Sequence, residues 1–449
     1  MPNDSGLKVD PFALILAVLL YAEHLIFGAN SRDLALTFAV VQLLLFAVLA
    51  LMGRIAQAPP KSVAILFAVV LAIGLFSILP LGPPLAHPFW TYVPGAPASI
   101  SLDPVNTRVE LIKLLGLGAV FLIGAGLGSN RESSERLALY LALGGVLYCG
   151  WAFIASVLSP TTIFGVPRPY GVGRLSGSFL SPNSAGTLFA SLTAVSLMIL
   201  LRPVMRPRKS GERTRLDEWV ALWPYGLLLL LALPCLLLST SRGGLLSLVA
   251  AALFGLAYLT WIKSSKQSLT AGFAAVVCLL AGVGLAVFLV SGDQTASRLG
   301  QTDPLNNDRL QLIAAYWPTF KASPWLGYGL GSFRAFNFAS MTLGNSLALS
   351  HLGAAHNVYL QWLLQEGVPG ALAMFACVGI VLVLTARGVA RRSTQQALGA
   401  ACLAVAVVFA VHGMVDFAFE EPSLAAFFSA ILGLGYGIAE RPAAGRSRR

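Results

Sequence analysis

Apolar residues run through the chain in long blocks separated by short polar breaks. The blocks fall near 11–29, 33–52, 63–81, 109–128, 137–158, 184–201, 219–239, 243–262, 270–291, 367–386, 398–416 and 423–439. A helix needs roughly 20 mostly apolar residues to cross a bilayer, and the blocks approach that length. A β-barrel would show short segments of alternating polarity instead, and the chain has none. The pattern predicts an all-α polytopic membrane protein of about 12 transmembrane helices, a single integral membrane domain over residues 1–449. One break is far longer than the rest: residues 292–366 form a large loop carrying short helices, and 202–218 form a basic linker.

Composition agrees with the pattern. Hydrophobic residues make up 57% of the chain and charged residues 11%, where a soluble domain carries about a quarter charged. The first apolar block is followed almost at once by a second, so it reads as an uncleaved span rather than a signal peptide. The five Cys (149, 235, 278, 377 and 402) all lie inside apolar runs without metal-ligand spacing, as small buried hydrophobes do.

Charge then sets orientation. A formal charge of +11 would suit nucleic acid, but its distribution follows membrane topology. With the N-terminus in the cytoplasm, 20 of the 30 Lys and Arg lie on the cytoplasmic side and eight on the outer side. Arg108 and Lys113, at the start of the fourth block, complete the set. That bias satisfies the positive-inside rule and puts both termini inside. The outer cations run against the rule and need another reason. All five His (24, 87, 351, 356 and 412) also fall on the outer side or in the outer half of a span.

Five outer stretches concentrate chemistry. In "LSTSRGGLLSL", 238–248, Ser239, Thr240 and Ser241 can cap the next helix, and Gly243 and Gly244 permit a tight turn. Arg242 then stands near a helix N-terminus, where free N–H groups and the dipole favour an anion. Its guanidinium fork suits phosphate, although an interfacial Arg can also reach lipid headgroups. In "YGVGRLSGSFLSPNSAG", 170–186, Arg174 sits among glycines, and Asn183 or Ser184 reads as the N-cap of the sixth span. Within 306–333, Arg309 opens an amphipathic stretch whose apolar face is Leu310, Ile313, Ala314 and Trp317, and "GYGLGSF" reads as a turn. In "SHLGAAHNVYLQWLLQEGVPG", 350–370, Asn357, Gln361 and Gln365 form a polar stripe at helical spacing behind His356. That describes a short interfacial helix, broken at Gly367, Pro369 and Gly370. Histidine titrates near working pH and so suits acid–base work there. In "HGMVDFAFEEP", 412–422, His412 and Asp416 are four apart, which would place them on one helix face. Ionisable groups within spans are costly and functional by default.

In this order the stretches resemble the O-antigen ligase and O-antigen polymerase superfamily of bacterial envelope glycosyltransferases. "SRGG" comes first, then "NDRLQLIAAYWPTFKASPWLGYGLGSF", "HNVYLQWLLQEGVPG" and "HGMVDF", with "GSFLSPNSAG" upstream. The resemblance implies a GT-C-like fold of about twelve helices with a large periplasmic loop over a cavity. It implies a protein of the bacterial inner membrane whose active face is periplasmic. The donor it implies is an undecaprenyl diphosphate-linked glycan, and the acceptor a lipid A core or other glycan hydroxyl. By resemblance, Arg242 and Arg309 meet the donor diphosphate, Arg174 is a further diphosphate cation, and His356 is catalytic. "GVPRPYGVGRLSG" has no close counterpart, and the motifs do not separate ligase from polymerase.

The residues fit that chemistry. A leaving diphosphate needs cations at the departing oxygens, and fixed Arg side chains supply them. The chain has no DxD pair and no His/Cys cluster, so neither metal nor cofactor is expected. His356 is the expected general base, with His412, Asp416, Glu366 and Asn357 supporting it. Ligation of glycan to lipid A core is the leading expectation. Polymerisation of lipid-linked repeats and transfer to protein hydroxyls are the alternatives within the class. A secondary transporter, with Glu23, His24, Glu110 and Lys113 as its leads, is the alternative outside it.

Overall fold

The computed structural model describes residues 9–55, 57–82, 85–96, 98–168, 171–203, 216–263, 308–350, 352–392 and 394–441. The ninth apolar block, Cys278, Arg298, His351 and most of the basic linker lie outside these residues. The side chains of 216–217, 263, 308–311 and 347–348 lie outside them too, and Arg309 is among these.

The other apolar blocks are helices. In chain order they are α1 (Pro11–Leu25), α2 (Arg32–Leu51), α3 (Lys61–Ser77), α4 (Pro104–Ser129), α5 (Arg131–Leu158) and α6 (Pro182–Leu200). There follow α7 (Leu216–Ala221), α8 (Trp223–Leu238) and α9 (Arg242–Lys263). Three short helices of the long loop come next: α10 (Asp308–Ala322), α11 (Phe333–Ala339) and α12 (Ser346–Leu349). The chain closes with α13 (Val358–Ala390), α14 (Gln396–His412) and α15 (Pro422–Glu440). Among the described residues, seven helices are long and apolar enough to cross a membrane, and four more (α1, α3, α8 and α14) are apolar but shorter. Among the described residues these are eleven apolar helices, against the twelve expected, and the ninth block lies outside those residues. Where a block is cut short the cause is local. The 219–239 block divides at Leu222, just ahead of Pro224 in the first turn of α8. The 398–416 block stops being helical at His412.

Small residues set the closest packing. Gly433 and Gly437 on α15 face α4, and a Cβ at either would collide with the backbone of Phe121 or Ala125. Gly124 and Gly128 on α4 meet the backbone of α15 in the same way. In a membrane, where helices gain little from the hydrophobic effect, such close backbone approach is what holds them together. One apolar core runs through α1, α5, α6, α8, α9, α14 and α15, with Phe179, Phe189, Phe409 and Phe427 fully buried in it.

The long-loop helices build a second, smaller core of their own on the first turns of α13. Leu312, Tyr316, Phe333, Phe336, Leu360 and Leu364 are buried in it. The buried face of α10 is thus Leu312 and Tyr316, not the face expected from spacing: Ala314 and Trp317 are exposed. Tyr316 tolerates burial because its hydroxyl donates to Asn337 Oδ1 at 2.6 Å. "GYGLGSF" is indeed a turn, with Gly327, Gly329 and Gly331 all at positive φ. It docks against the start of α4, where Asn106 Nδ2 and Thr107 Oγ1 each donate to its carbonyls at 2.7 Å. α13 is interrupted at Gly367 (φ 63°, ψ −175°), so a short helix precedes a long one.

Candidate functional site

His356 stands just ahead of α13 with φ at 52°, a left-handed backbone that costs a non-glycine residue energy. Its neighbours hold it there. Asn357 caps α13, its Oδ1 accepting from the Leu360 N–H at 2.9 Å, and its Nδ2 donates to the Met414 carbonyl at 2.9 Å. The Val358 N–H donates to the Gly413 carbonyl at 2.8 Å. Gln361 turns back to accept the Ala355 N–H at 2.8 Å. The start of α13 is thereby sewn to the end of α14. The Asn357, Gln361, Gln365 stripe does not lie at a wet interface, as the pattern had indicated. Gln361 and Gln365 are buried, and the stripe faces inward.

Asp416 is the centre of the cluster. It is fully buried, in the turn beyond α14. His412 and Asp416 do not share a helix face, because the helix ends at His412, yet the turn still brings them together. His356 Nδ1 lies 3.7 Å from Asp416 Oδ1, and His412 Nε2 lies 3.9 Å from Asp416 Oδ2. The Phe417 N–H donates to Asp416 Oδ1 at 2.7 Å, and the Phe417 ring meets the His356 ring edge-on at 4.8 Å. Burial works against the Asp416 carboxylate. The His356 contact, the nearby His412 and the Phe417 N–H outweigh it and hold the acid below its usual range. An ionised Asp416 thus faces the His356 ring on its Nδ1 side.

His412 carries the cluster toward the Arg residues. Its Nδ1 is 2.5 Å from Thr187 Oγ1 on α6, and its Nε2 is 3.5 Å from Ser241 Oγ in the turn before α9. Gly243 packs on its ring: a Cβ there would stand 2.6 Å from His412 Cδ2. The glycines of "SRGG" thus serve close approach, whereas the left-handed position in the turn is Thr240, at φ 50°. Ser241 Oγ accepts the Gly244 N–H at 3.2 Å and caps α9, so exposed Arg242 is its first residue.

Arg174 reaches the same turn. Its Nε donates to the Ser239 carbonyl at 2.9 Å and its Nη2 to Asn183 Oδ1 at 3.0 Å. The cap of α6 is Ser181, not Asn183 or Ser184; its hydroxyl accepts the Asn183 N–H, and Asn183 is left to hold Arg174. Arg168 fixes the loop from below. Its Nη1 donates to Ser176 Oγ at 2.6 Å and to the Arg174 carbonyl at 3.2 Å, and burial lowers its pKa.

Of the remaining candidates, Glu366 separates from this group. Glu366 is fully buried at the kink of α13, about 13 Å along the helix from its cap, away from His356. Arg309 is in the first turn of α10, its side chain outside the described residues. Of the transporter leads, Lys113 Nζ is bound by both oxygens of Glu110 at 2.8 Å, and Glu23 Oε1 accepts from Gln42 Nε2 at 2.7 Å. His24 is enclosed by the rings of Tyr21, Tyr148, Phe179 and Phe427. Among the described residues no group of three or more His, Cys, Asp or Glu side chains is arranged to hold a metal ion.

Sequence pattern did not find Glu421. It caps the cluster from α15, its Oε1 accepting from Asn30 Nδ2 and Ser184 Oγ at 3.3 Å each. Burial first, then the nearby Asp416 charge, push its carboxyl up to about 8. Its place beside "FEEP" was visible in the sequence; its contacts, with residues several hundred positions away, were not.

Compared with known proteins, residues 227–375 match a family model described as O-antigen ligase. The stretch holds Arg242, Arg309, His356 and Asn357, and it ends before His412 and Asp416. Among curated proteins none matches the chain. Over those residues the chain is similar to that family.

Proposed function

We propose that this O-antigen ligase-like chain is a membrane glycosyltransferase that moves a glycan from a lipid diphosphate donor to an acceptor hydroxyl. The observation that carries the reading is the buried Asp416 carboxylate between two imidazoles, His356 on one side and His412 on the other. His412 in turn rests on the turn that carries Arg242. A base and an anion site thus share one buried pivot.

In the proposed reaction His356 Nε2 takes the proton of the acceptor hydroxyl. The acceptor oxygen bonds to the anomeric carbon of the donor glycan, the bond from that carbon to the diphosphate oxygen breaks, and the electron pair leaves with the lipid diphosphate. Asp416 steadies the imidazolium that forms, as a buried carboxylate does for a catalytic histidine in acyl transfer. Arg242, Arg174 and Arg309 meet the charge that grows on the leaving oxygens. Backbone strain at His356 holds the base where the transition state needs it and prevents it from relaxing into α13. The chain sits in the bacterial inner membrane with both termini in the cytoplasm and the His356 end facing the periplasm. The positive-inside distribution of Lys and Arg supports that orientation. The donor is an undecaprenyl diphosphate glycan, and the acceptor a lipid A core sugar.

Reconstitution tests this. Purified protein receives an undecaprenyl diphosphate oligosaccharide with either rough lipopolysaccharide or no second acceptor. Glycan on the lipopolysaccharide is the expected result. Longer lipid-linked chains without it would make the protein a polymerase. No release of lipid diphosphate from intact donor by folded protein would overturn the transferase reading.

A further inference from the structure

A cavity of 390 Å³ opens at the end of the bundle opposite His356, within the range of about 300–1,000 Å³ that small-molecule sites occupy. It lies between α5, α6, α8, α9 and the start of α14. Arg131, Arg136 and Arg202 line it together with Glu132 and Glu135, and Leu139, Ile199 and Leu259 add an apolar wall. Gln396 in this wall and His412 beside Asp416 are the two ends of α14, about 24 Å apart along its axis. No residue of the His356 cluster lines the cavity.

Three features of the wall offer hydrogen-bond donors without a partner. The first is a guanidinium. Arg131 Nε lies 3.2 Å from Glu135 Oε1, and Arg136 Nη2 lies 3.9 Å from Glu132 Oε1. Arg202, just past the end of α6, differs: among the described residues no hydrogen bond or ion pair engages its side chain. The second is a hydroxyl. Tyr225, in the first turn of α8, is 7% exposed, and among the described residues nothing hydrogen-bonds to its Oη. A buried Tyr hydroxyl usually finds a partner. The charges of Glu135 and Arg202 both act on this one, so it faces the same space. The third is the N-terminus of α14. Its cap is Gln395, at φ 61°, and no side chain caps the helix. Gln395 is engaged elsewhere: its Nε2 donates to Ser134 Oγ at 2.8 Å, and its Oε1 accepts from Arg441 Nη1 at 2.6 Å. A guanidinium, a hydroxyl and an uncapped helix N-terminus around one cavity describe an acceptor-rich anion.

We infer that this cavity binds a phosphate ester, held by Arg202, the Tyr225 hydroxyl and the N-terminus of α14, and that the ester is the headgroup of an anionic lipid. The apolar wall gives the acyl chains a path out between the helices. Basic pockets between spanning helices suit such headgroups at the cytoplasmic leaflet, where the Lys and Arg bias would set this end. A bound phosphate would bridge α6, α8 and α14. The inference stands apart from the transferase reading.

The test is binding to delipidated full-length protein, read by native mass spectrometry. The probes are phosphatidylglycerol, diacylglycerol (which lacks the phosphate) and glycerol phosphate (which lacks the chains). Wild-type protein is expected to bind phosphatidylglycerol roughly tenfold more tightly than diacylglycerol. Arg202→Gln should weaken phosphatidylglycerol about tenfold, the worth of a charge-assisted contact. Tyr225→Phe removes only the hydroxyl. It should weaken the lipid about fivefold and is the readout if the Gln variant misfolds. Arg391→Gln, at an exposed cation of the same end that does not line the cavity, should stay within about twofold of wild type. Weak competition by glycerol phosphate is the result expected for a lipid. Competition at equal affinity would overturn the lipid and leave a soluble phosphate ester in the same site. Equal binding of diacylglycerol, wild-type binding by folded Arg202→Gln or Tyr225→Phe protein, or an equal loss in Arg391→Gln would overturn the site itself.

Discussion

The two ends of the helix bundle carry charge in opposite ways. At the end holding Arg441, cations meet backbone carbonyls. Arg441 donates through Nε to Ser129, through Nη2 to Gly128 at 2.7 Å and through Nη1 to Gln395 Oε1 at 2.6 Å. Arg392 donates to the Ala439 carbonyl at 2.6 Å. These are the last carbonyls of α4 and α15, which no intrahelical N–H can reach. At the other end two buried carboxyl groups are under-supplied: among the described residues Asp416 Oδ2 and Glu421 Oε2 have no hydrogen-bond partner. One end closes its hydrogen-bond account locally and holds helices in place. The other keeps acceptors open around a strained histidine, as a site awaiting substrate does.

If that contrast is right, substitutions at the two ends should fail differently. His356→Ala should lower the transfer rate by about 10²–10⁴-fold, the usual worth of a positioned base, with protein levels in the membrane unchanged; wild-type transfer would remove His356 from the mechanism. Asp416→Asn should cost about a hundredfold in rate and should shift the pH at which activity is lost on acidification. A pure structural role would lower the yield of folded protein and leave that pH unmoved. Arg242→Lys should cost about tenfold, because an ammonium keeps the charge but loses the fork. Equal rates for Lys and Arg would show that the bidentate contact is unused.

The remaining effects are on stability. Arg441→Gln breaks charge-assisted bonds to carbonyls and should destabilise by about 1.5–3 kcal/mol, with the rate per folded molecule unchanged. Glu421→Gln probes the open carboxylates. In the folded protein this carboxyl ionises at about 8, and unfolded at about 4.3. The folded state therefore holds the extra proton between these values, and stability should fall as pH rises through that window and level off above it. The Gln variant should lose that slope in thermal unfolding curves taken from pH 5 to 9. A slope kept in full would mean that Glu421 is already ionised when folded.

The sequence made the spans legible because twenty apolar residues in a row have few other uses. It made the Arg242 turn legible too, since a cap, an Arg and two glycines lie within six positions. His356 and Asp416 did not announce each other. They are sixty residues apart with α13 and α14 between them, and the Asn357 and Val358 bonds to the α14 turn help bring them together. The pair His412 and Asp416 was visible as an i,i+4 spacing, but for the wrong reason, because a turn rather than a helix makes the contact. The face of α10 was misjudged because Tyr316 counts as polar in a periodicity and as core once Asn337 takes its hydroxyl. Arg168 and Glu421 were hidden for the same physical cause: their roles are set by hydrogen bonds to loops, which no periodicity encodes.

The most direct test compares the two ends in one experiment. Wild type, His356→Ala and Arg441→Gln are purified together, the folded fraction of each is measured, and the single-turnover release of lipid diphosphate is normalised to it. The His356 variant should fall at least a hundredfold and the Arg441 variant should stay within about twofold of wild type. Equal losses at both ends, or a loss only in the Arg441 variant, would contradict the assignment of chemistry to the His356 end.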